Sequence, residues 1–222
     1  MADTCAVMDQ RVQAVLSRLH GLAKGDWKLI RFLPRVLLGR LRGKSIMETL
    51  TPSMMKDAYI PVSREQGLFL YELARLSGAK LIVEFGSSFG IGTIYLAAAA
   101  KDNGGRVITT EIEPSKCRAT EENLKAAGLH EYVTVLEGDA LQTLQSVQRG
   151  IDFVFLDGWK NLYNGVLDLL IPKLKAGAAV VGDNVDLAEG KDYLARVKAA
   201  DSGFITACVD KSTAVSYYLA TP

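Results

Sequence analysis

The sequence predicts a doubly wound α/β fold, in which a seven-stranded, mostly parallel sheet carries helices on both faces and a helical segment caps the N-terminal side. Three observations predict it. From Lys80 onward, short apolar runs alternate with helical stretches, the pattern of a parallel sheet built from β-α units. The runs are continuously apolar rather than alternating, as strands buried on both faces must be. The last two runs have no helix between them, so they close the chain as a hairpin whose final strand is antiparallel.

The elements follow in order. KLIVEFG is an apolar run ending in glycine, a buried strand, and the Ala-rich IGTIYLAAAAK is its helix. RVITTEI is a β-branched strand. PSKCRATEENLKAAG is a helix with Pro114 in its first turn and Gly128 past its end. YVTVLEG and DALQTLQSVQ are the third strand and helix, and IDFVFLDG is the fourth strand. NLYNGVLDLLIPKLKAG reads as helical, with Pro172 imposing a kink or break. AAVVGD is a strand, LAEGKDYLARVKAA a helix, and FITACV and AVSYYLA are the hairpin, joined through Asp210, Lys211 and Ser212.

The N-terminal part reads differently. Val7 to Leu22 has helical periodicity. Lys28 to Leu41 mixes apolar residues with Lys28, Arg31, Arg35 and Arg40, and Pro34 divides it into two short helical pieces. A basic amphipathic stretch of this kind can touch a membrane or an acidic partner; packing on the domain or on a dimer mate, with a solvated basic face, is the reading favoured here. Ser63 with Gln66 three residues on is a capping box, so a helix starts there. The expected division is 1–62 for the helical cap and 63–222 for the α/β domain.

Composition narrows the function. With 49% hydrophobic and 23% charged residues, the 222-residue chain can bury a sizeable core. A net charge of +1 gives no support to a nucleic-acid partner. Cys5, Cys117 and Cys208 form neither a zinc pattern nor a disulfide framework, which suits a reducing cytoplasm. His20 and His130 are too few and too far apart for a His-based zinc site or a Ser-His-Asp triad, and His130 reads as a surface or cap residue. No apolar run is long enough to span a membrane, and the N-terminus carries acids where a signal peptide would have an apolar core.

In open α/β sheets ligands bind outside the carboxyl ends of the strands. After the first strand comes Glu84 with Gly86, Ser88, Gly90 and Gly92, a Gly-x3-Gly-x-Gly loop. It is not the dinucleotide fingerprint, because Tyr95 stands where the third glycine would fall, and it lacks the Gly-Lys-Ser/Thr of a P-loop. After the second strand come Glu111 and Ile112, with the acid about 20 residues past the glycines, where a carboxylate bonds a ribose diol. After the third come Asp139 and Ala140; Asp139 can accept from an adenine amino group, cap the following helix, or do both. After the fourth come Asp157, Trp159 and Lys160, and after the fifth Asp183 and Asn184.

VEFGSSFGIGTIYLA, TTEIEP and LEGDA resemble the successive motifs of class I S-adenosylmethionine-dependent methyltransferases. The resemblance runs from about Ser63 to the C-terminus and is closest to the metal-dependent O-methyltransferases, the catechol and caffeoyl-CoA group. It implies a Rossmann-like fold that binds S-adenosylmethionine through Glu84, Gly86, Ser88, Gly90, Gly92, Glu111, Ile112, Asp139, Ala140, Asp157 and Trp159. It also implies a metal held by Asp157, Asp183 and Asn184: Mg2+, or another divalent cation such as Ca2+ or Mn2+. All three ligands are oxygen donors, as hard cations require.

DGWKNLY resembles the catechol methyltransferase run that carries the general base, which falls on Lys160. A lysine of ordinary pKa, about 10.4, is a poor base at neutral pH, but burial and a nearby cation both disfavour its charged form. Trp159 can pack against the adenine or the positive sulfur, or simply cover the sheet edge; Tyr163 reads as packing. Two departures stand out: Ile91-Gly92 replaces the Tyr-Ser of many relatives, and Gly158 replaces Ala or His. The implied activity is methylation of one hydroxyl of a catechol-like or other vicinal diol by a homodimer. A metal-independent methyltransferase on another nucleophile, or a non-catalytic cofactor-binding module, is the alternative.

Overall fold

A computed structural model describes residues 5–24, 27–59 and 61–220. Seven strands form one sheet: β1 (Leu81–Phe85), β2 (Arg106–Glu111), β3 (Val133–Glu137), β4 (Ile151–Leu156), β5 (Leu174–Gly182), β6 (Phe204–Cys208) and β7 (Ala214–Tyr218). Their spatial order is β3-β2-β1-β4-β5-β7-β6. β7 runs antiparallel to both β5 and β6, and the other neighbouring pairs are parallel. The strand order reverses between β1 and β4, where Phe85 is paired with Leu156, and this switch point is where such sheets open a crevice.

Both faces of the sheet are covered, as the continuous apolar runs require. Ile82, Phe153, Phe155 and Val181 face one core. Leu81, Val83, Phe85, Val154, Leu156 and Val180 face the other, the period-2 alternation of a strand. The first core is filled by α1 (Gln10–Lys24), with Val12, Leu16 and Leu19, by α4 (Arg64–Leu76) and by the Ala-rich α5 (Ile91–Asn103). The second is filled by α7 (Ala140–Thr143), α8 (Tyr163–Leu170) and α9 (Ala188–Lys198). Phe153 and Phe155 are fully buried, each stabilising the fold by about 2–3 kcal/mol relative to exposure.

Local signals explain the helix ends. Ser63 Oγ accepts from Gln66 N at 3.1 Å and starts α4. α6 (Pro114–Ala127) has Pro114 in its first turn and ends on the left-handed Gly128. In the N-terminal part a 3-10 helix (Trp27–Phe32) gives way to α2 (Leu33–Leu41) at Pro34, followed by the short α3 (Ile46–Thr49) and a 3-10 turn (Pro52–Met55). Ala6 N and Tyr71 OH both donate to the Asp102 carboxylate at the end of α5, which holds the segment before α1 against α4 and α5.

Two stretches differ from the sequence expectation. The helix predicted through Gly177 stops at Leu170, because Pro172 forces a 3-10 turn (Ile171–Lys173), and β5 begins at Leu174 instead of Ala178. The helix predicted over Asp139 to Gln148 shrinks to α7 and one 3-10 turn (Leu144–Ser146).

Candidate active site

The carboxyl ends of β1 to β5 meet around one crevice of about 310 Å³, large enough for a small ligand. Its wall includes Gly86, Ser88, Glu111, Ile112, Asp139, Ala140, Asp157, Trp159, Lys160 and Asn184, so most of the residues singled out from sequence converge. Glu84 and Gly92 line a smaller recess beside it, together with Gly86, Ser88 and Asp157. Gly90 lines neither; it precedes α5 in a left-handed conformation and packs against Thr120. Asp183 is buried and absent from the crevice wall, but its carboxyl lies beside that of Asp157.

The glycine loop is shaped by contacts at both ends. Gly86 has φ +97°, and a Cβ there would fall 2.7 Å from Gly158 Cα. Gly158 in turn sits over the Phe85 ring, where a Cβ would lie 2.5 Å from Cζ. The loops after β1 and β4 therefore cross at backbone contact, and this accounts for the glycine at 158. At Gly92 a Cβ would come within 2.8 Å of Glu84 Oε1, so the missing side chain leaves room for that carboxyl.

Glu84 is buried, and its Oε2 accepts from Thr93 Oγ1 at 2.5 Å and Thr109 Oγ1 at 2.6 Å. Burial pushes its pKa up to about 7; the two hydroxyls oppose the shift, and the charges of Asp157 and Glu111 add to it. Glu111 accepts from Ser88 N (2.9 Å) and Glu113 N (3.0 Å), so it ties the glycine loop to the end of β2. Burial raises its pKa, against the pull of these backbone donors and of Lys116. Each carboxylate oxygen has a second lone pair, so the capacity to hold a ligand hydroxyl remains. Asp139 caps α7, accepting from Leu141 N at 2.9 Å, and also faces the crevice.

At the other end, Lys160 Nζ donates to Asp157 Oδ1 at 3.0 Å and is only 6% exposed. The Asp157 pKa is raised to about 6, by burial first; Lys160 opposes this, and the adjacent Asp183 adds to it. Asn184 adopts a left-handed φ of +53°, which asparagine tolerates well. Tyr163 is packing, as expected: it is fully buried, and its hydroxyl donates to Leu156 O and Asp183 O, tying the ends of β4 and β5 together. Among the described residues no group of three or more His, Cys, Asp or Glu is placed to hold a metal ion; the oxygen set here is two carboxylates and an amide, and its chemistry fits a hard divalent cation.

The structure adds residues that the sequence did not single out. Leu50, Pro52 and Met55 roof the crevice, and Trp159 packs against the Leu50–Met55–Ala58 cluster, so it covers an edge while also lining the cavity. Tyr59 stacks on Phe89 of the glycine loop with ring centroids 4.0 Å apart. Lys116, buried on α6, sits 5.3 Å from the centre of the same Phe89 ring and lines the crevice. Its position two residues after Pro114, in the first turn of a helix, was the one available signal.

Comparison with known proteins agrees with this geometry. Residues 83–185 match a family described as methyltransferase domain. The catechol O-methyltransferase of Mycobacterium tuberculosis is 37% identical over 144 residues, covering 64% of this chain and 64% of that protein. That of Niastella koreensis is 37% identical over 136 residues, covering 60% and 61%. The chain thus spans less than two thirds of the length of either relative. A cofactor-bound crystal structure from MTB superposes with a TM-score of 0.65 at 29% identity, covering 75% of this chain and 85% of that one. With the strand order, the glycine loop and the acids at successive strand ends, these matches make the chain similar to a methyltransferase domain over residues 83–185, and to catechol O-methyltransferases over about two thirds of its length.

Proposed function

We propose that the protein moves the methyl group of S-adenosylmethionine to one hydroxyl of a catechol-like or other vicinal-diol small molecule, with the help of a divalent cation. The observation that carries this reading is the buried Lys160–Asp157 pair opening onto the same crevice as Glu111 and Asp139. Glu111 binds the ribose diol, Ile112 and Ala140 flank the adenine, Asp139 accepts from its amino group, and the Gly86–Ser88 backbone admits the amino-acid end. The bound nucleoside supplies an electrophilic methyl on a positively charged sulfur.

Asp157, Asp183 and Asn184 hold the cation: Mg2+, or Ca2+ or Mn2+ in its place. When bound, it supplies Lewis acidity and a fixed orientation for a chelating diol. Lys160 Nζ, once it has given up its own proton and stands as the neutral amine, takes the proton of the attacking hydroxyl, and Trp159 with the Leu50, Pro52 and Met55 roof keeps water from the reacting atoms. The recognised small molecule is a hydroxyl acceptor, since a planar diol fits an apolar crevice with a few fixed polar groups.

In this reading, residues 1–62 are a cap and 63–222 the cofactor-binding domain. A cytoplasmic location is expected from the free cysteines, and a homodimer from the resemblance alone. No helix among the described residues is long and apolar enough to cross a membrane. Calorimetric titration tests the cofactor assignment: S-adenosylmethionine binds and NADH does not, whereas the opposite result overturns it. A panel of catechols and isolated monophenols tests the acceptor, with methyl transfer expected only to the catechols.

A further inference from the structure

The inner face of α2 is packed and the outer face is not. Phe32 and Val36 pack against Leu50, Met55 and Ala58, and Gly39 lies so close to Thr49 that a Cβ would meet its hydroxyl at 2.3 Å. On the other side, Leu33, Leu37 and Leu41 recur every four residues at 64%, 62% and 79% exposure, with Leu38 and Ile30 beside them at 48% and 54%. At 100° per residue Leu33, Leu37, Leu41 and Leu38 form one continuous outward stripe, with Ile30 on the 3-10 helix just before it. Arg40 borders one edge of the stripe, and Arg35 and Arg42 the other; all three are exposed.

The charge around the stripe is lopsided. Residues 24–44 carry seven basic side chains and one acid, in a chain whose net charge is only +1, so the rest of the chain is net acidic. Among the described residues none of Arg35, Arg40, Arg42 and Lys44 takes part in an ion pair. Arg35 Nε donates to Thr49 O at 3.3 Å, which anchors its stem beside α2. Arg35, Arg42 and Lys44, with Leu38 and Pro34, line an open recess of about 480 Å³ whose far side is Glu48 and Thr49.

We propose that the outward face of α2 docks on an anionic lipid bilayer, its leucines entering the headgroup boundary and lipid phosphates seating among Arg35, Arg42 and Lys44. An exposed apolar stripe flanked by cations is the signature of a helix lying in the membrane interface, and anionic lipid attracts each such cation near the surface. A second copy of the chain is the other occupant that the stripe could take, but the cations on both of its edges complement an anionic surface. The inference does not depend on the methyl-transfer reading. It places the roof of the crevice next to the bilayer, because α2 packs on Leu50 and Met55.

The test is flotation of the full chain with phosphatidylcholine vesicles, pure or containing about one third phosphatidylglycerol. The chain floats with the anionic vesicles only, and raised salt releases it. Leu37→Asp with Leu41→Asp lowers partitioning more than about 100-fold, and Arg42→Ala with Lys44→Ala lowers it about 30-fold. Both variants change exposed side chains and melt like wild type by circular dichroism. The proposal is overturned if wild type does not float with anionic vesicles, or if both variants float as well as wild type. It is also overturned if sedimentation shows a dimer that Leu37→Asp with Leu41→Asp converts to monomer without any flotation, which would assign the face to a second copy.

Discussion

Lys160 Nζ and Asp157 Oδ1 are 3.0 Å apart, and the lysine is almost fully enclosed. A buried cation facing a buried carboxylate is costly unless each holds the other. Replacing Lys160 with Met removes the proposed proton acceptor while keeping the bulk of the chain. The turnover number should fall about a hundred- to ten-thousand-fold, with S-adenosylmethionine affinity changed far less. Steady-state kinetics beside calorimetry on the same preparation separates the two effects.

Glu84 should leave a mark on stability against pH. Its folded pKa of about 7 lies above the ordinary 4.5. Between these values the folded state holds a proton that the unfolded state releases, so the contribution is fully present below 4.5 and is lost as pH rises to 7. The change is on the order of 3 kcal/mol. Glu84→Gln should remove this part of the slope, leaving what other groups such as Asp157 contribute. Denaturant titrations of both proteins across that window measure the difference.

The crossing of the β1 and β4 loops should not tolerate a methyl group. Gly158→Ala drives a Cβ into the Phe85 ring and should destabilise the fold by about 1–3 kcal/mol. Gly86→Ala should cost more, because it adds a left-handed φ of +97° to a clash with backbone. Shifts in denaturation midpoint at unchanged slope report both.

These contacts also show where sequence reasoning reached and where it stopped. The ends of the parallel strands are marked locally, by apolar runs that give way to Gly86, Glu111, Asp139, Asp157 and Asp183, and the α/β order brings those ends together. Ser63, Pro114 and Gly128 act within one helical turn, so the helix ends they set were legible as well. The roof was not. Leu50, Pro52 and Met55 belong to a stretch without clear periodicity, and they are placed by contacts with Trp159 and Phe32 that are remote in sequence. The same holds for Tyr59 stacked on Phe89 and for Lys116 beside that ring. Gly158 could be noted as a departure, but its cause is Phe85, on a different strand. Helix lengths after β3 and β4 were overestimated because propensity carries no information on where the chain must turn back into the sheet.

Glu111 holds the glycine loop through Ser88 N at 2.9 Å as well as facing the crevice. Glu111→Gln replaces one acceptor oxygen with a donor and removes the charge. Affinity for S-adenosylmethionine should drop roughly ten- to hundred-fold, and the Ser88 amide should exchange its hydrogen faster. Calorimetry and hydrogen exchange measure these separately.

Methyl transfer to a chelating diol should depend on a divalent cation at Asp157, Asp183 and Asn184. The most direct measurement uses methyl-labelled S-adenosylmethionine and catechol with wild type, first stripped with EDTA and then resupplied with Mg2+. Labelled product should form only after Mg2+ is restored, and none should form with Asp157→Ala under either condition. Full methyl transfer by the stripped enzyme, unchanged on adding Mg2+, would contradict that dependence.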